Sequence, residues 1–489
     1  MRMNNYRKSI AALMLTTVFG LPLQAEVKMP AIFSDNMVMQ QQTTANLWGT
    51  ATPNKVVTVT PAWDGQAYTT KADDKGAWKL TLKTPKAGGP YELVISDGTP
   101  LTLHNVMVGE LWLCAGQSNM EMPMKGFTNQ PVEGANMDAL RGRNERIRFF
   151  TMKRNSATVP ATDCVGSWVE ATPATIREFS ATAYYFGRQI EEILQVPVGL
   201  VVAAWGGSSC EAWMDKDMLK AFPEATAQIP EVKGKIASKN RTPTVLFNGM
   251  LSPLIGMTMK GVIWYQGEDN WNRAHTYADM FSSLITGWRK LWGQGDFPFY
   301  YCQIAPYSYG NITGQGKPLC NSAYLREAQA KVEFMVPQTG MAVLMDAGFK
   351  NGIHPYDKHT PGERLALLAL NKAYGIDGIT GDSPYYKSCE IRNDTVIVSF
   401  ERDNKMWVNV KHGFASKNFK VAGEDRVFYP AKAEIKRQHV IVTCDKVAHP
   451  VAVRYAFEDY AEGDLYGAEG LPVSSFRSDD WEDPKPLKK

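Results

Sequence analysis

Hydrophobic and polar positions alternate with period two in the first stretch after residue 25. Short runs at Ala45 to Trp48, Lys55 to Thr60, Trp78 to Leu82 and Tyr91 to Ile95 are separated by Asp64-Gly65, Gly88-Gly89-Pro90 and Asp97-Gly98. Several short strands punctuated by turn residues predict a β-sandwich over 26–105. From Val106 the texture changes to buried apolar runs followed by longer segments with helical spacing. Strands are expected at Val106 to Ala115, Leu200 to Trp205, Val262 to Tyr265 and Ala342 to Met345. Helices are expected at Thr182 to Leu194, at Tyr277 to Trp292 and at Glu363 to Tyr374, the last stopped by Gly375. This alternation predicts an α/β unit with a parallel sheet over 106–375. Period two returns at Val396 to Phe400, Trp407 to Val410, His439 to Thr443 and Val451 to Tyr455, which predicts a β-rich region over 376–489. The charged end, Asp479 to Lys489, is expected to fray.

The first 25 residues have a different pattern. Arg2, Arg7 and Lys8 precede an apolar core from Ile10 to Leu21 and a small-residue site at Leu23-Gln24-Ala25, the layout of a signal peptide. An exported, periplasmic or secreted protein is expected, with no membrane insertion after the signal is removed. Removal of that segment lowers the 53 basic residues to 50, equal to the 50 acidic ones, so no net field remains to recruit nucleic acid. Hydrophobic residues at 44% and charged residues at 21% place the chain among globular proteins. Seven Cys are scattered with no C-x-x-C pair, which argues against zinc ribbons and thioredoxin chemistry. Cys302 and Cys320 are the nearest pair in sequence, and the odd count leaves at least one thiol unpaired. Asn240, Asn311 and Asn393 lie in N-x-T sequons.

Candidate chemistry gathers where the four central strands end. Gly116-Gln117-Ser118-Asn119-Met120 puts a serine between a buried strand and a helix start, where backbone N–H groups are free to meet a developing oxyanion. It is not the G-x-S-x-G elbow, because Asn119-Met120 stands where the second glycine is required. Trp205-Gly206-Gly207, Trp264-Tyr265-Gln266-Gly267-Glu268 and Ile353-His354-Pro355 follow the other three strands. Histidine is the side chain suited to taking a hydroxyl proton near neutral pH, and the other six His have no comparable setting. In a doubly wound sheet, strand C-terminal ends face the ligand crevice.

These blocks, with Gly362-Glu363-Arg364-Leu365-Ala366, resemble the SGNH-hydrolase enzymes of the sialate O-acetylesterase family. Ser34 to Gln40, Val106 to Glu110, Gly470-Leu471-Pro472 and Phe476-Arg477 extend the resemblance over nearly the whole chain after residue 25. It implies a three-layer α/β/α domain flanked by β-rich units, and a serine esterase that removes O-acetyl groups from sugars through an acetyl-serine intermediate. Ser118 would be the nucleophile and His354 the base. The oxyanion hole would draw on Ser118, Gly206, Gly207 and Gln266. No cofactor or metal is implied. Alternative readings are an acetylesterase for plant polysaccharide such as xylan or pectin, and an inactive carbohydrate-binding relative. One departure stands out: Asn351 occupies the position where many SGNH hydrolases carry the orienting Asp. Asn351, Asp346, Asp357, a backbone carbonyl or a bare Ser-His dyad remain alternatives. For the substrate, Gln117, Asn119, Glu268, Trp213 and Trp271 are candidates. Trp205 and Tyr265 could also face the sugar, although Trp205 and Trp264 lie close to strand interiors and read better as core. Arg273 and Lys350 are candidates for meeting a sugar carboxylate.

Overall fold

The computed structural model describes residues 26–310, 321–401, 409–410, 415–436 and 438–481. The signal segment, Cys320, the Asn311 sequon, Trp407 and all but the start of the charged tail lie outside them.

The N-terminal strands are β1 (Val38–Gln40), β2 (Thr44–Thr50), β3 (Val56–Pro61), β4 (Tyr68–Lys71), β5 (Ala77–Lys83) and β6 (Gly88–Ser96). β2 pairs with β5, while β3 bonds β4 and β6, and β6 lies against the 17-residue β7 (Pro100–Gly116). That long strand crosses the boundary expected at residue 105 and serves both units. Its first half mixes exposed and buried positions, but every residue from Met107 to Gly116 is buried, because there both faces of the sheet are covered.

The second half of β7 is the middle of a parallel sheet. With β8 (Asn144–Thr151), β9 (Trp168–Ala171), β10 (Val198–Ala204), β11 (Gly261–Tyr265), β12 (Phe299–Cys302) and β13 (Thr339–Ala342), the order is β13-β12-β11-β7-β10-β8-β9. Only β9 runs antiparallel to its neighbour. On one face pack α4 (Ala181–Leu194) and α8 (His359–Leu368), through Tyr184, Phe186, Ile190, Leu365 and Leu368 onto Trp112 and Cys114. On the other pack α6 (Ala274–Trp292) and α7 (Ala323–Met335), through Phe281, Leu284, Trp288, Leu325 and Val332 onto Leu113 and Ala115. This is the expected three-layer α/β/α arrangement. α2 (Ala135–Arg141), α3 (Pro173–Glu178) and α5 (Pro223–Thr226) lie in the connections.

Two edges differ from the sequence reading. The fourth expected strand lies at Thr339–Ala342, three residues early, and its end is the polar loop that carries His354. α8 starts at His359 rather than Glu363 and runs into a π-type turn, Ala369–Ala373, before Gly375, whose φ of 67° ends it. β8 and β12 escape a periodicity reading: β12 is four fully buried residues, too short to show any period.

Beyond Tyr385 the chain forms antiparallel sheets. Tyr385–Arg392, Thr395–Glu401, His439–Thr443, Lys432–Lys436 and Ala415–Ser416 make one, and Phe428–Pro430, Phe419–Ala422, Ala452–Tyr455 and Phe476–Arg477 another. This region is anchored to the α/β unit by Gln303 donating to Ser474 (2.7 Å), by Arg326 donating to Ser475 (3.0 Å) and by the Arg477–Glu327 ion pair (3.1 Å).

Candidate active site

From β7 the chain crosses to β8 and returns through α4 to β10, whereas β11, on the opposite flank of β7, begins the other half of the sheet. The C-terminal end of β7 is therefore the topological switch point, where a crevice opens between diverging loops. Ser118 stands there, as the first residue of the single-turn α1 (Ser118–Glu121), and is 8% exposed. Gly116 makes the approach to it possible. Its φ is 141°, and a Cβ at this position would lie 2.2 Å from the Tyr265 carbonyl, so only glycine lets the chain pass β11 here. Gln117 N–H donates to that carbonyl (2.9 Å), and Gln117 Oε1 accepts from Gly267 N–H (3.2 Å) and Asp269 N–H (3.3 Å).

The loop after β10 closes the other side. A Cβ built on Gly206 would sit 3.3 Å from Ser118 Cβ, so this turn abuts the serine directly. Two of the expected oxyanion donors are corrected. Gly206 N–H donates to Glu121 Oε2 (2.8 Å), and Asn240 Nδ2 holds the Gly206 carbonyl (2.7 Å). Gln266 is fully buried; its Nε2 donates to the Ser208 carbonyl (3.0 Å) and Asn270 Oδ1 (2.7 Å), and its Oε1 accepts from Tyr277 Oη (2.9 Å). Every polar position of that amide is spent on the scaffold. Among the described residues, Ser118 N–H and Gly207 N–H meet no protein acceptor. Gly207 has a φ of 65°, which turns its peptide out of the strand direction.

His354 lies on the loop beyond β13. Asn119 Nδ2 donates to the neighbouring Ile353 carbonyl (3.2 Å), tying this loop to the residue next to Ser118. Gln130 Oε1 accepts from His354 Nδ1, and the Phe127 ring packs at 5.3 Å against the imidazole. Both come from the tight turn Phe127 to Gln130, closed by reciprocal 3.0 Å backbone bonds, and Glu133 N–H reaches the Tyr356 carbonyl (2.9 Å). Bonding at Nδ1 fixes the tautomer with the lone pair on Nε2. Burial, then the Lys358 charge, lowers the His354 pKa from 6.5 to about 4.

None of the three expected orienting side chains is at that imidazole. Asp346 forms a bidentate pair with Arg364 (2.7 and 2.8 Å) and accepts from Tyr466 Oη (3.2 Å); burial alone would raise its pKa, but these partners hold it below the usual value. Asp357 accepts from Thr360 N–H (2.9 Å) and Thr360 Oγ1, securing the start of α8. Asn351 is exposed. Gln130 was not legible because no motif marks a polar residue more than 200 positions away as the partner of a histidine. Gln130→Ala frees the ring to rotate and, with His354 as base, should lower kcat/KM by about 10²-fold. Gln130→Glu sets a carboxylate at Nδ1 and should move the acid limb of kcat/KM to higher pH, read from a pH–rate profile.

The expected substrate contacts are also corrected. Asn119 and Trp213 are wholly buried, Gln117 is bonded as described, and Glu268 is 4% exposed. Trp213 packs against Trp264 and donates through Nε1 to Ser208 Oγ (2.9 Å); Trp271 is buried in a stack with Tyr309 (4.8 Å). Tyr265 is buried as well, while Trp264 is core as expected. Trp205 instead is only half-buried, with Arg154 over its ring (5.6 Å) and Arg154 paired to Glu121 (2.5 Å). Arg273 is engaged with Glu211 (3.3 Å) and Asp269 (3.7 Å), and the Lys350 carbonyl accepts from Ser308 N–H (3.2 Å). Beside the Gly207 turn lies a cavity of about 510 Å³, lined by Ser209, Phe222, Arg241, Asp269, Arg273 and His275, within the usual size for a small-molecule site. Cys302 is a free, buried thiol. Among the described residues, no group of three His, Cys, Asp or Glu is arranged to hold a metal, and no helix is long and apolar enough to cross a membrane.

Ser118 at the switch point, with the His354 loop tied to the next residue, sits on an α/β/α scaffold that similarity to known proteins assigns to a carboxylic ester hydrolase. The family model described as carbohydrate esterase, sialic acid-specific acetylesterase, matches residues 108–349. The sialate O-acetylesterase of Rattus norvegicus is 32% identical, with 76% of this chain and 79% of that protein covered. The Homo sapiens sialate O-acetylesterase is 31% identical, with 73% of each covered. The crystal structure of XAC1771, a carbohydrate acetylesterase from Xanthomonas citri, superposes with a TM-score of 0.84 at 35% identity, covering 93% of this chain and 100% of that one. The chain belongs to the sialate O-acetylesterase family and is an esterase that removes acetyl groups from sugar hydroxyls.

Proposed function

We propose that the protein is an exported serine esterase acting on O-acetylated sialic acids, with Ser118 as nucleophile and His354 as general base. The observation that carries the mechanism is the His354 Nδ1 bond to Gln130, because it leaves Nε2 unprotonated on the loop that Asn119 ties to the Ser118 turn. Nε2 takes the Ser118 Oγ proton as the oxygen attacks the acetyl carbonyl. The oxyanion is received by Ser118 N–H and Gly207 N–H, each worth about 3 to 4 kcal/mol at the transition state. Collapse breaks the acetyl–oxygen bond, and the imidazolium returns its proton to the leaving sugar alkoxide. Water, deprotonated by the same Nε2, then attacks acetyl-Ser118; collapse breaks the acetyl–Oγ bond, the imidazolium returns the proton to Ser118 Oγ, and acetate leaves.

The subsite assigned to the sugar in this reading is the cavity that starts at Ser209, two residues after Gly207. Both of its arginines, Arg241 and Arg273, already face Asp269, so a substrate carboxylate there would compete with that pairing. Sialate as substrate rests on the family and its mammalian members. Acetate release from O-acetylated sialic acids is expected to exceed release from acetyl-xylan by at least about tenfold in kcat/KM, the scale of one well-used polar contact. Preference for xylan would transfer the mechanism to a neutral polysaccharide. Export rests on the pattern of residues 1–25 and is tested by whether the expressed protein begins near Glu26.

A further inference from the structure

Beneath the Ser118 turn, three polar side chains from three separate loops are sealed from solvent: Asn119 after β7, Glu268 after β11 and Lys358 after β13, the last 1% exposed. The Asn119 amide lies between the two charged groups with its dipole aligned to both. Its Oδ1 accepts from Lys358 Nζ (2.7 Å), and its Nδ2 donates to Glu268 Oε1 as well as to the Ile353 carbonyl. Lys358 Nζ also donates to the Pro355 carbonyl (2.7 Å). The residues on either side of His354 are thus held by one cluster, Ile353 through Asn119 and Pro355 by Lys358 itself. Thr182 Oγ1 donates to the Asn119 carbonyl (2.9 Å), which anchors the cluster to α4.

This is an expensive way to fill space. Removing an ammonium and a carboxylate from water is repaid only with good geometry, and apolar side chains of similar volume commonly serve stability as well or better. Here Glu268 Oε2 even lacks a hydrogen-bond partner. The placement makes sense if the cluster sets the position and electrostatics of the reacting groups.

We propose that Lys358, linked to Glu268 through Asn119, is a positioning residue that clamps the His354 loop onto the Ser118 turn. The inference rests on the Ser118–His354 reading above. The titratable and charged groups around the clamp are Glu268 on the β11 loop, Cys302 at the end of β12, Asp357 on its own loop, Arg364 on α8, and Tyr265 and Tyr309 near the Glu268 carboxylate. Among the described residues, Lys358 is the charge that bears on His354, and it adds to burial in keeping the ring neutral. A base held this way gives its proton back readily to the leaving alkoxide.

The test is a kinetic comparison of wild type, Lys358→Met, Glu268→Gln and the double variant on p-nitrophenyl acetate, with full pH profiles. Lys358→Met is expected to lower kcat by about 10- to 100-fold with KM within about twofold, because geometry rather than binding is lost. The acid limb of its kcat/KM profile should move to higher pH, which a merely structural lysine would not cause. The double variant should lose less than the product of the two single losses, since it leaves neither charge buried alone. Should Lys358→Met fail to fold, Lys358→Gln retains N–H donors without the charge, and its acid limb should move in the same direction. An unmoved acid limb in the variant that folds, or strictly multiplicative losses, overturns the proposal. Activity surviving in Ser118→Ala would instead remove the reading on which it rests, so the two failures are distinguishable.

Discussion

Ser118→Ala is expected to lower kcat/KM on any acetyl ester by about 10⁴-fold or more while leaving the protein folded. The size follows from chemistry: without Oγ no acetyl-enzyme forms, and only binding and the oxyanion donors are left to accelerate attack by water. The lack of a stability effect follows from structure. The helical turn is held by backbone bonds, from Glu121 N–H to the Gln117 carbonyl (2.8 Å) and from Met122 N–H to the Ser118 carbonyl (2.8 Å), and by the Gln117 and Asn119 side chains, none of which uses Oγ. A thermal midpoint within about 1 °C of wild type, on the order of 1 kcal/mol in a chain this long, should accompany the kinetic collapse. Retention of more than a few per cent of activity would assign the nucleophile elsewhere.

His354→Ala should be the second most damaging change, again by about 10⁴-fold, because nucleophile and base act as a unit. Added imidazole should restore part of the activity by filling the space between Gln130 and Phe127. In the wild type, the depressed pKa makes a further expectation. A general base works in its neutral form, so with His354 in that role the acid limb of kcat/KM should fall near pH 4 rather than 6.5. The same depression bears on stability. The unfolded chain takes up this proton first as pH falls below about 6.5, so the contribution from the neutral buried ring is present above that pH and is lost progressively toward pH 4. An acid limb at 6.5 in wild type would mean that the ring is solvated in the working enzyme.

The strand–helix alternation of the central unit was readable because strands buried on both faces leave continuous apolar runs, and their ends leave polar, glycine-bearing loops. Ser118, Gly207 and His354 each lie within such a loop. The amide-rich motifs misled for a specific reason. Gln117, Asn119, Gln266 and Glu268 are the residue types that contact sugars, yet they are also the types that satisfy the buried backbone where irregular loops converge. Sequence position does not separate the two uses. In the structure these side chains bond Gly267 N–H, the Ile353 carbonyl, the Ser208 carbonyl and Asn119, so they build the floor of the site.

The sequence by itself determined the alternation of strand and helix, the family and the four loops that meet, because periodicity and local motifs are properties of neighbouring residues. Only the tertiary structure decided which side chain bonds His354, which backbone amides near Ser118 are spent on other acceptors, and that Lys358 and Glu268 share a buried site with Asn119. Those outcomes depend on pairs such as Gln130 with His354 and Asn119 with Lys358, separated by 224 and 239 positions. Hydrogen bonding between groups that far apart is set by how the sheet orders its strands, and no local pattern encodes it.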